Sequence, residues 1–500
     1  MYGGKLMLFA ATSTWYATWI TPMWLLGLGV AIGLAVLAIV FGILKLAAPG
    51  WATEMAVMVK EGWLLPIFYV SLVLTVLTAV ATPIVPYHTL LTAASRMFSV
   101  GTFSETVEVP AATKDFPIPL PFSPTELQSF TLESDQPISV LTKVSKGVGP
   151  DGLKRLEPND PFSWHRTAPL DKPFAADVQK WTATNVGTAP ANLSIGWRSD
   201  IEFPEVRLIA KTALAFVGLF LFYAALRLLF PTISAIAQAT AKGCVAQPIF
   251  YVSLVIGSVG LIVFLIVPYH TFGEDVKMLK DSALTWIMFW TMVVAVWSAS
   301  VSISDEIEGR TAMTVLSKPV SRRQFILGKF LGVMGPVALM FVLLGLLFTL
   351  TIPYKVVYDA REVAKTLPTW QTCCMEMTQT LPGLVLTFYE TVVLASISVA
   401  LSTRLPMVAN LITCASIYVL GHMVPVLVNS SVGKFEIVRF VGQFIALLLP
   451  VLDHFNIQPA IAAGVEVPLD YLAWALAYCV LYSTIAMLFA LILFEDRDLA

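Results

Sequence analysis

The sequence predicts an all-α polytopic membrane protein with one inserted extracytoplasmic β-sandwich-like domain, and three observations carry that prediction. Of its 500 residues, 57% are hydrophobic and 13% charged, with a mean hydropathy of +0.78. A water-facing surface needs about 25% charged residues. Apolar windows of about 20 residues, enough to close every backbone hydrogen bond across the hydrocarbon core, recur along the chain. Between residues 97 and 205 these windows give way to short alternating runs. The net charge of −2 points to neither nucleic acid nor a strongly charged partner.

Taken in order, Lys5 precedes an apolar run, 6–11, too short and too poorly flanked for a cleaved signal, so it reads as retained. About nine spans follow: 24–44, 64–86, 208–230, 247–268, 282–303, 330–352, 381–403, 405–428 and 471–494. The third is the weakest, because Lys211 and Arg227 sit near its ends, where both can snorkel to the interfaces. A shorter stretch, 440–452, contains Pro450 and suits a re-entrant or interfacial segment. Gly29 and Gly33 form a small-xxx-small pair in the first span, explained by helix packing or, alternatively, dimerisation. Four regions result: a helix pair at 1–96, the β-rich insert at 97–205, a third span with an amphipathic connector at 206–246, and a six-helix core at 247–500.

Orientation follows the densest basic loop: Arg310, Lys318, Arg322, Arg323 and Lys329. Placed in the cytoplasm, that loop puts 231–246, Arg404 and the tail 495–500 inside, and the N-terminus and 87–207 outside. Lys355, Arg361 and Lys365 then fall on the outer side, against the rule.

The chain repeats itself. PIFYVSLV occupies 66–73 and 248–255, and IVPYHT occupies 84–89 and 266–271, both at one offset of 182. Across 65–89 and 247–271, 14 of 25 positions are identical. Both copies cross in the same sense, so this is a parallel repeat. It reads either as a reused stable helix pair or as a flank that holds the external domain. His88 and His270 stand beside Tyr and Pro at the outer interface, as anchors or as a shared metal pair.

In the insert, the runs 129–133, 138–142 and 191–197 alternate polar and apolar residues between Pro and Gly punctuation, as antiparallel strands do. None of the five cysteines lies there, so it is no disulfide scaffold. His165 is its only histidine, Asn192-Leu-Ser194 is a glycosylation triplet, and no catalytic order stands out.

The stretch 302–332, SISDEIEGRTAMTVLSKPVSRRQFILGKFLG, is acidic and then basic between two spans. Asp305, Glu306 and Glu308 suit a helix start, Pro319 breaks the segment, and Lys329 opens the next span. On composition it is either a docking knob for a cytosolic partner or an ordinary amphipathic turn with positive-inside anchors. Its wording resembles the loop of ABC transporter permeases of the type-2 exporter class, especially the branch linked to multicopper enzyme maturation. Glu306, Glu308, Gly309, Thr311, Pro319, Ser321, Arg322, Gly328 and Lys329 take the family's places. Arg310 departs from it, falling between Gly309 and Thr311 where the family has Arg-Gly-Thr.

The resemblance covers roughly 232–500. It implies a six-helix permease core, an ATPase-coupling loop formed by Asp305, Glu306, Glu308, Gly309, Arg310, Thr311, Pro319, Arg322 and Lys329, and a re-entrant element at 435–458. It also implies that cytosolic ATPase subunits bind the ATP and that a second permease subunit completes a homo- or heterodimer. The chain is accordingly expected to be no enzyme and to hold no cofactor or metal. It lacks a G-x-x-x-x-G-K-[ST] loop: Phe330 follows Gly328-Lys329, and Arg323 stands where the first Gly belongs. The expected place is a bacterial inner membrane, in contact with lipid, with the C-terminus cytoplasmic.

Glu390 lies near the centre of the seventh span, where a carboxylate costs about 2.5–3.5 kcal/mol and so calls for a cavity or a partner. His422, in the eighth span, is the candidate partner, and the two mark a possible substrate path or a structural pair. Cys373, Cys374 and Met377 offer soft ligands without an adjacent histidine. Two rival functions stay open: an ATPase-independent channel or secondary carrier using Glu390, and a membrane scaffold displaying the β domain.

Overall fold

The computed structural model describes residues 15–50, 53, 55–57, 64–118, 126–144, 153–158, 160–165, 178–267, 269, 274–304, 320–429, 436–437, 440, 444 and 449–495. The chain divides into two compact units, Met1–Val85 with Leu208–Ala500, and Pro86–Arg207.

The larger unit is helical. In chain order it holds α1 (Trp15–Ala47), α2 (Leu65–Ala81), α4 (Arg207–Leu229, entering from the smaller unit), α5 (Pro231–Val245), α6 (Pro248–Ile266), α7 (Asp275–Ala299), α8 (Arg322–Glu362), α9 (Trp370–Thr378), α10 (Leu381–Ser402), α11 (Met407–Asn429), α12 (Gln458–Ala462) and α13 (Leu469–Glu495). Pro66, Pro231, Pro248 and Pro382 sit in the first turn of their helices, where the missing N–H would have had no partner anyway. Among the described residues, eight helices are long and apolar enough to cross a membrane. The predicted span at 405–428 is helical as the 23-residue α11. The chain is an integral membrane protein.

Burial sorts the helices. Between 56% and 67% of the apolar window is buried in α7, α8 and the α9–α10 segment, against 11–28% in the other five. These three therefore form the centre. The others expose apolar rows, such as Tyr69, Val73, Val76 and Val80 on α2 and Tyr251, Val255, Val259 and Ile266 on α6, surfaces that suit lipid. Close approaches are made at glycine. A Cβ at Gly29 would lie 1.6 Å from Thr212 Oγ1, and one at Gly33 2.9 Å from Phe216 Cδ1. The small-xxx-small pair is thus occupied within the chain, by α4.

The two repeat copies pack on different neighbours. Gly27 of α1 meets Thr78 of α2, whereas Gly257 and Gly260 of α6 meet Leu344 of α8 and Trp286 of α7. The predicted span at 330–352 is the middle of a longer element. α8 has 41 residues, roughly 60 Å at 1.5 Å per residue, twice the hydrocarbon thickness. Both of its ends therefore carry charged residues beyond the apolar slab.

The smaller unit opens with α3 (Tyr87–Ser95) and continues as eight strands: β1 (Thr102–Val109), β2 (Phe116–Ile118), β3 (Leu127–Ser134), β4 (Ile138–Val144), β5 (Leu153–Leu156), β6 (Phe162–His165), β7 (Val178–Asn185) and β8 (Ala191–Ser199). They form two antiparallel sheets, β1-β8-β3-β6 and β2-β7-β4-β5. One core joins them, with Phe130, Leu132, Leu193 and Ile195 from the first sheet and Ile118, Ile138, Val140 and Ala183 from the second. Along β8 every second residue is buried, which is the alternation the sequence shows. Asn192 of the glycosylation triplet donates its side-chain amide to Asp135 at 2.9 Å.

Candidate functional site

Loop residues Asp305, Glu306, Glu308, Gly309, Arg310, Thr311 and Pro319 lie outside the described residues, as does His270. The two stems of the loop are described. The first leaves α7 through a π-helical turn, Ser300–Ser304. The second enters α8 through a capping box: Gln324 N donates to Ser321 Oγ at 3.2 Å, and Ser321 N donates to Gln324 Oε1 at 3.1 Å. The stems share an apolar core of Ala299, Ile303, Phe325 and Ile326 with Val399 of α10 and Met487 and Phe494 of α13. Arg322 donates to the carbonyl of Glu495 at 3.2 Å, and Arg404 to that of Leu493 at 2.9 Å. Two cations thus sit on the last carbonyls of α13, where the helix dipole favours positive charge. Lys329 is buried, with its ammonium 5.5 Å from the Phe325 ring centroid.

Two further features hold the stems. α5 lies against α8 at Gly328 and Gly332, where an added Cβ would come 2.8 Å from Ile236 Cβ and 2.5 Å from Thr240 Cβ. Asn410 of α11 is fully buried, and its amide nitrogen reaches Ser300 Oγ at 2.8 Å, Ser398 Oγ at 2.9 Å and Ser402 Oγ at 2.9 Å. An amide nitrogen carries two hydrogens, so the three hydroxyls share them. The knot ties the π turn to α10 and α11 without an ionised group.

Glu390 of α10 is 3% exposed and faces His422 of α11, with Oε1 3.3 Å from Nε2. His422 Nδ1 lies 3.1 Å from the carbonyl oxygen of Tyr418. A carbonyl can only accept, so Nδ1 carries a hydrogen. At that separation Glu390 Oε1 stands beside Nε2 but has no hydrogen-bond partner. The two side chains place a carboxyl and an imidazole side by side inside the helical unit.

The other end of the central helices carries a charge cluster that the sequence reading missed. Lys355, fully buried on α8, reaches Asp275 Oδ2 of α7 at 3.3 Å, with the rings of Tyr269 and Tyr358 5.5 and 5.2 Å from its ammonium. Lys280, buried on α7, is bonded to Glu376 of α9. Glu274, Lys277, Asp359, Lys365 and Glu376 line a cleft of about 430 Å³ beside these pairs. Lys277 holds the exposed Glu274 carboxylate below the usual range by a direct hydrogen bond. Lys355 and Arg361 therefore do not act as loop charges. The first is sealed in an ion pair and the second stacks on Trp15, 4.8 Å from its ring centroid, which removes part of their conflict with the orientation rule.

All five cysteines are buried, and none is in a disulfide. Among the described residues no group of three His, Cys, Asp or Glu side chains could hold a metal ion, Cys373 and Cys374 included. His88 stacks on its neighbour Tyr87, with ring centroids 3.9 Å apart.

Residues 269–499 match the family described as ABC-2 family transporter protein. The match takes in α7 to α13 and both stems of the loop. Together with the apolar helices it supports an ABC-2 type permease of the membrane. No curated protein matches the chain.

Proposed function

We propose that the chain is the membrane-spanning permease subunit of an ATP-binding-cassette transporter of the type-2 exporter class. It belongs, on this reading, to the branch linked to multicopper enzyme maturation. Cytosolic ATPase subunits on separate chains dock on the 304–328 loop, a second permease completes the dimer, and the assembly sits in a bacterial inner membrane with the C-terminus cytoplasmic. The observation that carries the reading is the family match across 269–499. The build of the loop's base agrees with it. A capped helix and two cations on the end of α13 anchor the base of α8, and the uncharged hydrogen-bonded knot beside it makes a seat that a docked subunit can displace, moving the adjacent ends of α7 and α8.

The test is co-purification from native membranes, comparing wild type with Glu306→Ala/Glu308→Ala. An ATPase subunit that accompanies wild type and is lost from the variant, at equal expression, upholds the proposal. Its absence from wild type sinks it.

The Glu390–His422 pair favours a second reading, an ATPase-independent channel or secondary carrier. That reading predicts gradient-driven flux that survives loop mutations and fails in Glu390→Gln.

A further inference from the structure

The cleft of about 430 Å³ beside the Lys355–Asp275 pair holds an acid without a partner. Asp359 lines this cleft and is 8% exposed. Among the described residues its carboxylate accepts no hydrogen bond and joins no ion pair. Lys355, one turn earlier on α8, is taken by Asp275 at 3.3 Å, so it and Lys365 act on Asp359 only through space. A buried carboxylate left in that state costs free energy until a donor arrives. A second acceptor stands at the same wall. Gln379 Oε1 is buried without a donor, and it lies 3.4 Å from where a Cβ on Gly464, a cleft residue, would stand.

The remaining charges of the wall sort themselves. Glu274 is bonded to Lys277 at 2.7 Å, and Glu376 to the buried Lys280. Lys365 is exposed and, among the described residues, in no ion pair. With the pairs set aside, the cleft keeps one anion, Asp359, and one cation, Lys365. Its volume suits a small ligand. Among the described residues no group of three His, Cys, Asp or Glu could hold a metal ion, so the missing donors are those of an organic cation.

We propose that this cleft binds a small zwitterion, with its primary ammonium group on Asp359 and its carboxylate or phosphate on Lys365. A primary ammonium fits where a quaternary one does not, because it brings three N–H donors to acceptors that have none. The site lies at the end of α7 and α8 opposite the loop stems and does not depend on the transporter reading.

The test is isothermal titration calorimetry of the full-length detergent-purified chain with glycine, β-alanine and γ-aminobutyrate, against glycine betaine, which has the same charges and no N–H. Phosphatidylethanolamine against phosphatidylcholine forms the lipid arm. At least one primary amine is expected to bind, with its trimethylated counterpart about tenfold weaker or more, as loss of a charged hydrogen bond predicts. Asp359→Asn should weaken the primary amine by a similar factor, and Lys365→Gln by less. Thr366→Trp, an exposed substitution in the cleft wall, should block binding without touching a charge, which covers the case of an unfolded Asp359 variant. Phosphatidylethanolamine that binds with this dependence on Asp359, while the free amino acids do not, upholds the ammonium site and makes the headgroup its ligand. Binding unchanged in Asp359→Asn or in Thr366→Trp, equal binding of the trimethylated counterpart, or no binding of any primary amine overturns the proposal.

Discussion

Replacing Lys355 by methionine keeps most of its volume and removes one charge from a place where water cannot compensate. The side chain is fully buried, its partner Asp275 is 6% exposed, and the separation is 3.3 Å. At an effective dielectric constant near 20, the attraction at that 3.3 Å distance is roughly 332/(20 × 3.3), about 5 kcal/mol. Each ion's desolvation opposes this, so the pair's net worth against an apolar pair is small. Removing one partner is different, because the abandoned carboxylate keeps its desolvation cost. Lys355→Met is therefore expected to lower stability by about 3–5 kcal/mol, and Asp275→Asn by a similar order. The double variant should return most of that loss, since no charge is left behind. Reversible unfolding in mixed micelles of all four proteins closes the cycle. If the single losses are each below about 1 kcal/mol and simply add, the pair is not sealed from water and the reasoning fails.

Three other expectations follow from named contacts. Gly332→Val pushes branched atoms into Thr240 and the Ala237 carbonyl, both already within 2.9 Å of an ideal Cβ; α5 should detach, read as new protease cleavage between 231 and 246. Glu390→Gln and His422→Gln each remove one of the two facing titratable groups, so any pH dependence of transport set by the pair should vanish in both variants, while a purely structural role would lower stability and leave the pH profile in place. In the β unit, burial raises the Glu126 carboxyl above its usual range, opposed by Arg96 at 2.8 Å and aided by Glu202. The folded form then holds the proton more tightly than the unfolded chain, so this group's contribution to stability falls as pH rises from about 4.5 toward the folded value. Hydrogen exchange of β3 amides, corrected for intrinsic rates, should show that fall in wild type and lose it in Glu126→Gln.

The apolar spans were legible because lipid imposes one rule on every helix that crosses it, and the strands of the insert because β8 alternates along its length and β3 from Phe130 onward. Lys355 shows where that reading stops. In one dimension it is a basic residue just past an apolar window, and nothing in its neighbourhood reveals an aspartate 80 positions earlier. The pair exists only because α7 and α8 lie side by side. Asn410 is a similar case. Ser300, Ser398 and Ser402 read as ordinary small residues of membrane helices, and only the packing of α7, α10 and α11 turns them into one knot. The duplication marks the opposite limit. Identical words at 66–73 and 248–255 both built helices, but Thr78 and Gly260 occupy corresponding places, so the first copy receives Gly27 and the second receives Trp286. Shared sequence fixed the helix and not its neighbour.

The distribution of buried polar groups bears on how a docked subunit could act. On the proposed reading, force enters at the loop and reaches α7 and α8 through their adjacent ends. At that end the fastening is uncharged: an amide shared among three hydroxyls, beside a π turn whose backbone bonds are already irregular. Such bonds can be exchanged at a cost of about 1 kcal/mol each. At the far end the same two helices are fastened by Lys355 and Asp275, whose separation would strand two buried charges. Motion is therefore easier near the loop and resisted far from it, so α7 and α8 should pivot about the Lys355–Asp275 contact instead of sliding apart. Asn410→Leu would remove the knot and leave that end loose in every state, while leaving the pivot intact. Cross-linking between cysteines placed on α7 and α8 should then lose its dependence on nucleotide near residue 302 and keep its constant yield near residue 355. Equal nucleotide-dependent change at both ends would rule out the pivot.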